Sequence, residues 1–329
     1  MLQMAEPMTR SHWLLGFGAF FALVLSHLIW GQVDIALFEP LEAVHREILL
    51  HVRIPRVLAA VAGGAGLSLC GLVLQTWFSN PLAGPSVLGV SSGAGLGVAF
   101  LVLMGVTSSW WATAAAAMAG SALVLVLVLF VAHRFRTATA LLIFGLMLNY
   151  VVGAMITVLQ AEAQQEALQQ FVFWGMGTFA HGSLATSLAL CGAVLFAGLV
   201  LNTMHRDLDM WTLGSLTAQS MGVSDSSLRW RIVALAGLLT GGITAACGPL
   251  AFLGLATPHV VRLLTADRSH RVLIPMTALT GAMLALAADW GVKGYGGMEH
   301  GWPLNAVLSL IGGPMVIWVL VSKTDRLHD

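Results

Sequence analysis

The chain has 329 residues, 58% of them hydrophobic and 9% charged, and its 15 basic and 15 acidic residues cancel. A water-facing surface needs far more charge than this, so a soluble domain is excluded. A net charge of zero names no class of partner, and the information lies in where the charges fall.

In chain order, Arg10 precedes an uncharged run from Ser11 to Val33. That run is too long for a signal-peptide core and lacks a convincing cleavage site, so it reads as an uncleaved first span. Between Arg56 and Arg134 lie 77 residues, Val57 to His133, without Asp, Glu, Lys or Arg. This is room for about three helices of ~20 residues, the length that crosses ~30 Å of hydrocarbon. Asn80-Pro81 cuts the run with a turn signal, and Thr107-Ser108-Ser109 cuts it again before Trp110-Trp111, a pair suited to an interfacial belt.

The uncharged runs predict spans near residues 12–33, 57–79, 86–105, 112–132, 139–160, 183–204, 232–248, 250–265, 272–290 and 303–322. Gly248-Pro249 divides residues 232–265, which read as two short helices, giving ten spans, or as one long helix, giving nine. The fold class is therefore all-α, a single polytopic transmembrane domain over residues 1–329.

With the N-terminus inside, Arg10, Arg134, Arg136, Arg206, Arg229, Arg231, Arg262, Arg268, Arg271, Lys323 and Arg326 lie inside. Arg46, Arg53, Arg56 and Lys293 lie outside. This bias follows the positive-inside rule and places both termini in the cytoplasm. Gly89, Gly93 and Gly97, and Gly237 and Gly241, repeat at the spacing that lets helix backbones approach, in a transport bundle or in generic membrane packing.

Several signals invite other chemistry. Gly89-Val-Ser91-Ser-Gly93 matches the nucleophile elbow of serine hydrolases, but the run is helical and carries no acid nearby. No phosphate-cradling G-x-x-x-x-G-K-[S/T] loop occurs, so any ATP belongs to another polypeptide. His45, His51, His181 and His300 fall near the outer face without metal-ligand spacing and read as solvated. The methionines read as pliable packing. Cys70, Cys191 and Cys247 lie in apolar runs and read as packing residues. Glu162 and Glu166 sit one turn apart on an outer, wet segment. Asp289 ends a span, as a buried relay acid or at the interface beside Lys293.

Four ordered stretches carry a family resemblance. They are Arg53-Ile-Pro-Arg56-Val-Leu-Ala-Ala, with Leu74-Gln75, Asn80-Pro-Leu-Ala83 and Leu88-Gly-Val-Ser-Ser-Gly-Ala94; Leu141-Leu-Ile-Phe-Gly-Leu-Met-Leu-Asn149; Phe252-Leu-Gly-Leu-Ala-Thr-Pro-His-Val-Val-Arg262 with His270-Arg271-Val-Leu-Ile-Pro275; and Pro303-Leu-Asn-Ala-Val-Leu-Ser-Leu-Ile-Gly-Gly-Pro314. Together they resemble the FecCD family, permease subunits of type II ABC importers for ferric siderophores, haem and cobalamin.

The resemblance implies ten helices, a paired permease (a homodimer) in the lipid bilayer of a cell inner membrane, two cytoplasmic ABC ATPase subunits and an external, periplasmic or extracellular, substrate-binding protein. No catalytic residue, cofactor, metal or nucleic-acid partner is implied. Arg53 and Arg56 match cations that dock the binding protein in the family's cobalamin importer, and Lys293 matches a third. The coupling loop to the ATPase is Asp207 to Arg229, with Leu216, Thr217, Ala218, Met221 and Gly222 on its short helix. Asn80, Leu82, Thr137 and Ala138 match the cytoplasmic gate. Gly291 to Gly301, with Met298, Glu299 and His300, and Trp302-Pro303 depart from the family pattern at the outer mouth.

The expected substrate is an iron chelate, with haem or cobalamin as alternatives. An ion-coupled secondary transporter is the rival from another class, disfavoured because the span centres carry no ionisable residue. The intramembrane hydrolase is the last alternative.

Overall fold

The computed structural model describes residues 10–30, 43–106, 109–134, 137–293 and 302–324, and all regular structure among them is helical. Helix α1 covers Arg10–Ile29. Helix α2 (Ala43–Ile48) passes through a π-helical turn, Leu49–Arg53, into α3 (Ile54–Trp77). There follow α4 (Val90–Leu103), α5 (Trp110–Arg134), α6 (Ala138–Ala161), α7 (Gln165–Gly175), α8 (Leu184–Thr203), α9 (His205–Trp211) and α10 (Ser215–Ser220). The last four are α11 (Asp225–Cys247), α12 (Leu253–Leu264), α13 (His270–Val292) and α14 (Leu304–Thr324).

Six helices are long and apolar enough to cross a membrane, namely Ala43–Trp77, α5, α6, α8, α11 and α13, and four shorter apolar stretches lie in α1, α4, α12 and α14. Residues 232–265 thus form two helices, parted at Gly248–Phe252. The parting has local causes. Pro249 brings no backbone N–H, Gly248 adopts φ 75°, and Phe252 takes the left-handed conformation at φ 64°, which a side chain adopts only under strain. At 14 and 12 residues, α4 and α12 rise only about 21 and 18 Å, so each is a half-span that begins inside the bundle.

Helix α3 is the axis of the fold. In its most apolar window 89% of residues are buried, against 17% in α6, whose sides stay open to lipid or to another chain. Around α3 pack α8, α11, α12 and α13. The contacts are close because glycine removes the side chain where backbones meet. A Cβ at Gly71 would overlap the Gly254 carbonyl, and Gly93 and Gly97 of α4 face Gly120 and Ala116 of α5 in the same way. Gly237 and Gly241 of the second expected repeat receive the Leu125 and Ser121 side chains.

The charges separate along this axis. Arg46, Arg53, Arg56 and Lys293 lie at the end where α3 begins, hereafter the Arg56 end. Arg134, Arg206, Arg229, Arg231, Arg262, Arg268 and Arg271 lie toward the other, the Asn80 end.

Candidate functional site

At the Arg56 end the π-turn decides where the cations point. One extra residue in the turn rotates all that follows by about 100°. Arg53 is thereby 7% exposed, and its Nη1 donates to the Leu28 and Ile29 carbonyls at 2.6 and 2.8 Å. Those are orphan carbonyls at the C-terminus of α1, where a cation also meets the negative end of the helix dipole.

Arg56 grips Asp289 through Nε and Nη2 at 2.9–3.1 Å. Asp289 is buried, and His27 of α1 completes the cluster with Nε2 3.5 Å from its carboxylate. The His27 Nδ1–H donates to the Leu23 carbonyl, and the Trp290 indole donates to Ser26. Asp289 is therefore buried, as the relay reading expected, but it is the ion-pair partner of Arg56, which neither sequence reading named. Lys293 is half-buried just beyond α13, and burial pushes its ammonium down to about 8, against the opposing pull of Asp289. Residues 294–301, including Met298, Glu299 and His300, lie outside the described residues.

The helix breaks meet at one cavity. The loop ahead of α4 and the Gly248–Phe252 break line a cavity of about 320 Å3 with Leu82, Pro85, Ser86, Ser91, Phe252 and Asn305 on its walls. Non-helical backbone in a membrane must find internal partners. Two asparagines supply them. Asn305 accepts from the Ala251 amide and donates to the Pro249 and Gly175 carbonyls, at 3.0, 2.6 and 2.9 Å. Asn149 on α6 donates to the Ser86 carbonyl and accepts from Ser92, at 3.0 and 2.7 Å. Ser91, the would-be nucleophile, starts α4 after a one-turn 3-10 helix and faces Thr244 at 3.4 Å. That is not the strand-to-helix elbow a serine hydrolase needs.

At the Asn80 end, α3 stops in a Schellman motif. The Ser79 amide bonds to the Thr76 carbonyl and the Asn80 amide to the Gln75 carbonyl, with Ser79 left-handed at φ 49°. Asn80 then accepts from the Leu82 amide at 2.9 Å, closing a tight turn that leaves Leu82 49% exposed. Thr137 caps α6 by accepting from the Ala140 amide, and Ala138 packs partly against the core. All four expected gate residues are thus at one end, Asn80 and Leu82 in a tight turn and Thr137 and Ala138 at the start of α6.

The expected coupling helix is α10. It ends in a second Schellman motif, with Gly222 at φ 96° and the Gly222 and Val223 amides on the Gln219 and Ala218 carbonyls. Leu216 is 82% and Met221 54% exposed, and Thr217 is exposed beside them. Ala218 differs from expectation as a contact residue. It is fully buried in the core with Leu208 and Trp211 of α9, so it anchors α10 rather than presenting a side chain outward.

Sequence reading passed over His27, Asn149, Asn305, Asp209 and His270 as individual actors. The available signal was a polar residue inside or at the edge of an apolar span. Among the described residues no three His, Cys, Asp or Glu side chains gather as a metal site.

The FecCD transport family model matches residues 18–322. The vitamin B12 import permease protein BtuC of Vibrio cholerae is 34% identical over 320 residues, covering 96% of this chain and 95% of that protein. The hemin transport permease protein HmuU of Yersinia pestis is 32% identical, over 85% and 84% of the two chains. The molybdate import permease protein MolB of Haemophilus influenzae is 30% identical, over 95% and 91%. A solved structure described as an inward-facing metal-chelate type ABC transporter superposes with a TM-score of 0.84 at 28% identity, covering 94% of this chain and 99% of that one. A half-span helix pair around a buried α3, with ordered motifs along nearly the whole chain, places this protein in the FecCD transport family, among the membrane permeases of type II ABC importers.

Proposed function

We propose that the chain is the permease subunit of an ATP-driven importer for an iron chelate, working as a homodimer with two cytoplasmic ATPase subunits and an external binding protein. The observation that carries this reading is the cavity at the helix breaks. Two broken half-helices meet there, satisfied by Asn149 and Asn305 and lined without a charged residue. Such a wall can slide past a large ligand without gripping it, and it offers no ionisable group for proton or sodium coupling. The hemin and metal-chelate descriptions of relatives favour a chelated metal. The 34% identity to a vitamin B12 permease favours cobalamin as the second reading.

In this reading the Asn80 end, rich in arginine, faces the cytoplasm with both termini. Leu216, Thr217 and Met221 meet the ATPase on a platform set by Ala218 and Gly222. Asn80, Leu82, Thr137 and Ala138 close the inner path near the dimer axis. Arg56 and Lys293 meet carboxylates of the binding protein, while Arg53 behind them ties α1 to α3. ATP binding and hydrolysis by the partners shift the population between outward- and inward-open states.

The test is uptake into proteoliposomes holding permease, ATPase and cognate binding protein. A ferric siderophore, haem and vitamin B12 are offered in turn. ATP-dependent accumulation of an iron chelate is expected, and accumulation of vitamin B12 alone would replace the first reading with the second.

A further inference from the structure

The coupling helix and the expected gate are joined by a polar chain that is half-buried at Asp209 and buried at His270 and Thr76. Helix α9 precedes α10 and packs against it, with Ala218, Leu208 and Trp211 in the same buried core, and α9 also packs on α13 and α3. Asp209 of α9 accepts from both the backbone amide and the Nδ1–H of His270 at the start of α13, at 2.8 and 2.7 Å. The other ring nitrogen of His270 accepts from the Thr76 hydroxyl in the last turn of α3 at 2.8 Å, and the Leu72 carbonyl, 3.0 Å from the same oxygen, is the alternative acceptor for that one proton. Two residues on, the Trp211 indole of α9 donates to the Trp77 carbonyl, the final one of α3.

Helix α12 holds the same tip from its other side. Arg262 donates to Gln75 at 2.7 Å, Gln75 donates to the Leu255 carbonyl, and His259 donates to the Pro81 carbonyl at 2.8 Å. Beyond this tip stands the Asn80–Leu82 turn.

Apolar packing would hold these helices together without specifying their relative placement. Hydrogen bonds with fixed directions that close on buried side chains tie the placement of one helix end to the next. His270 and Thr76 are both buried, so water offers no substitute partner when the chain breaks. We infer that Asp209, His270 and Thr76, with Trp211 on Trp77, are positioning residues that make α10 and the Asn80–Leu82 turn move as one body. The inference rests on the importer reading and deepens it, because it names the route from the ATPase contact to the gate.

The test uses the full complex of permease and ATPase in nanodiscs, with nitroxide labels at Leu82 of both copies. Pulsed electron resonance reads the Leu82–Leu82 distance without nucleotide and with ATP plus vanadate. In the unsubstituted chain the distance shifts with nucleotide. Asp209→Ala and Thr76→Val are expected to lose at least half of that shift, while the ATPase subunits stay bound and hydrolyse ATP within twofold of the parent rate. Asp209→Asn keeps an oxygen that accepts both bonds from His270, so it should retain the shift.

A full shift in both Asp209→Ala and Thr76→Val would overturn the link. So would loss of ATPase binding in step with a lowered melting temperature, since the network would then be a structural brace alone. Thr76→Val preserves volume and keeps the test decisive if Asp209→Ala does not fold. If the unsubstituted chain neither binds the ATPase nor shifts, the importer reading itself fails and takes the link with it.

Discussion

Arg56 and Asp289 stand 233 positions apart, yet three N–O distances of 2.9–3.1 Å join them in a forked ion pair. The pair fastens α3 to α13 at the end where the binding protein is proposed to land, and His27 brings α1 into the same cluster. Nε and Nη2 serve Asp289, and among the described residues the Nη1 hydrogens of Arg56 bond to no other group, so an incoming carboxylate could take them. Removing one member of a buried pair strands the other, at a cost of about 3–5 kcal/mol. Asp289→Ala should therefore lower the melting temperature of the purified permease as well as weaken binding-protein association. An unchanged melting temperature would show that the pair contributes nothing to the fold.

Arg53 and Lys293 should separate folding from docking. Arg53 caps two carbonyls of α1 from a buried position, and hydrogen bonds from a charged group are worth about 1.5–3 kcal/mol each. Arg53→Ala is expected to destabilise the permease by about 3 kcal/mol in a denaturant titration. Lys293→Gln removes an ammonium that burial already disfavours, so it should not lower stability, and it should weaken binding-protein affinity tenfold or more. The reverse pattern would exchange the two roles.

Lys293 also sets a pH dependence. Burial lowers its pKa to about 8, below the unfolded value of 10.5, so the ammonium is present at pH 7 and largely lost by pH 9. Between those two pKa values the unfolded chain binds more protons, so this residue makes stability rise with pH there. Docking that uses its charge should weaken over pH 7 to 9. Lys293→Arg should abolish that fall, and surface plasmon resonance across the range would read both curves.

On α10 the two faces should answer differently. Leu216→Glu and Met221→Glu place charge on an exposed apolar contact and should release the ATPase from a normally folded permease. Ala218→Glu buries that charge against Leu208 and Trp211 and should disrupt the loop itself. Gly222→Ala forces a side chain into φ 96° and should cost about 1–2 kcal/mol. A cysteine at Leu216 should crosslink to the ATPase and one at Ser183 should not; the opposite result would invert the membrane orientation.

At the gate, cysteines at Leu82 or Ala138 in the two copies should crosslink to each other. The crosslink is expected to block transport while ATP hydrolysis continues in part. Equal crosslinking in every nucleotide state, with transport intact, would remove these residues from the gate. A closing path needs side chains without charge, because a charge would be stranded as water leaves.

Hydropathy and charge spacing are properties of the chain read in one dimension, and they sufficed for the membrane-spanning class, the ten apolar helices and the ordered FecCD motifs. They sufficed also for the clustering of cations at two ends, because each run of about 20 apolar residues must cross and each charge must stay near an end. The direction of individual side chains was another matter. A single added residue in the Leu49–Arg53 π-turn swings Arg53 away from the surface and onto α1, and no composition rule registers one residue. Six-residue α10 is too short to display a helical period, so burial of Ala218 between exposed Thr217 and Gln219 emerged only from its packing on α9. Asn149, Asn305, Asp209 and His270 looked like isolated polar residues because their partners lie from 54 to 194 positions away. Only the folded chain brings those partners within 3 Å, where a buried donor without an acceptor would otherwise have made the helix breaks untenable.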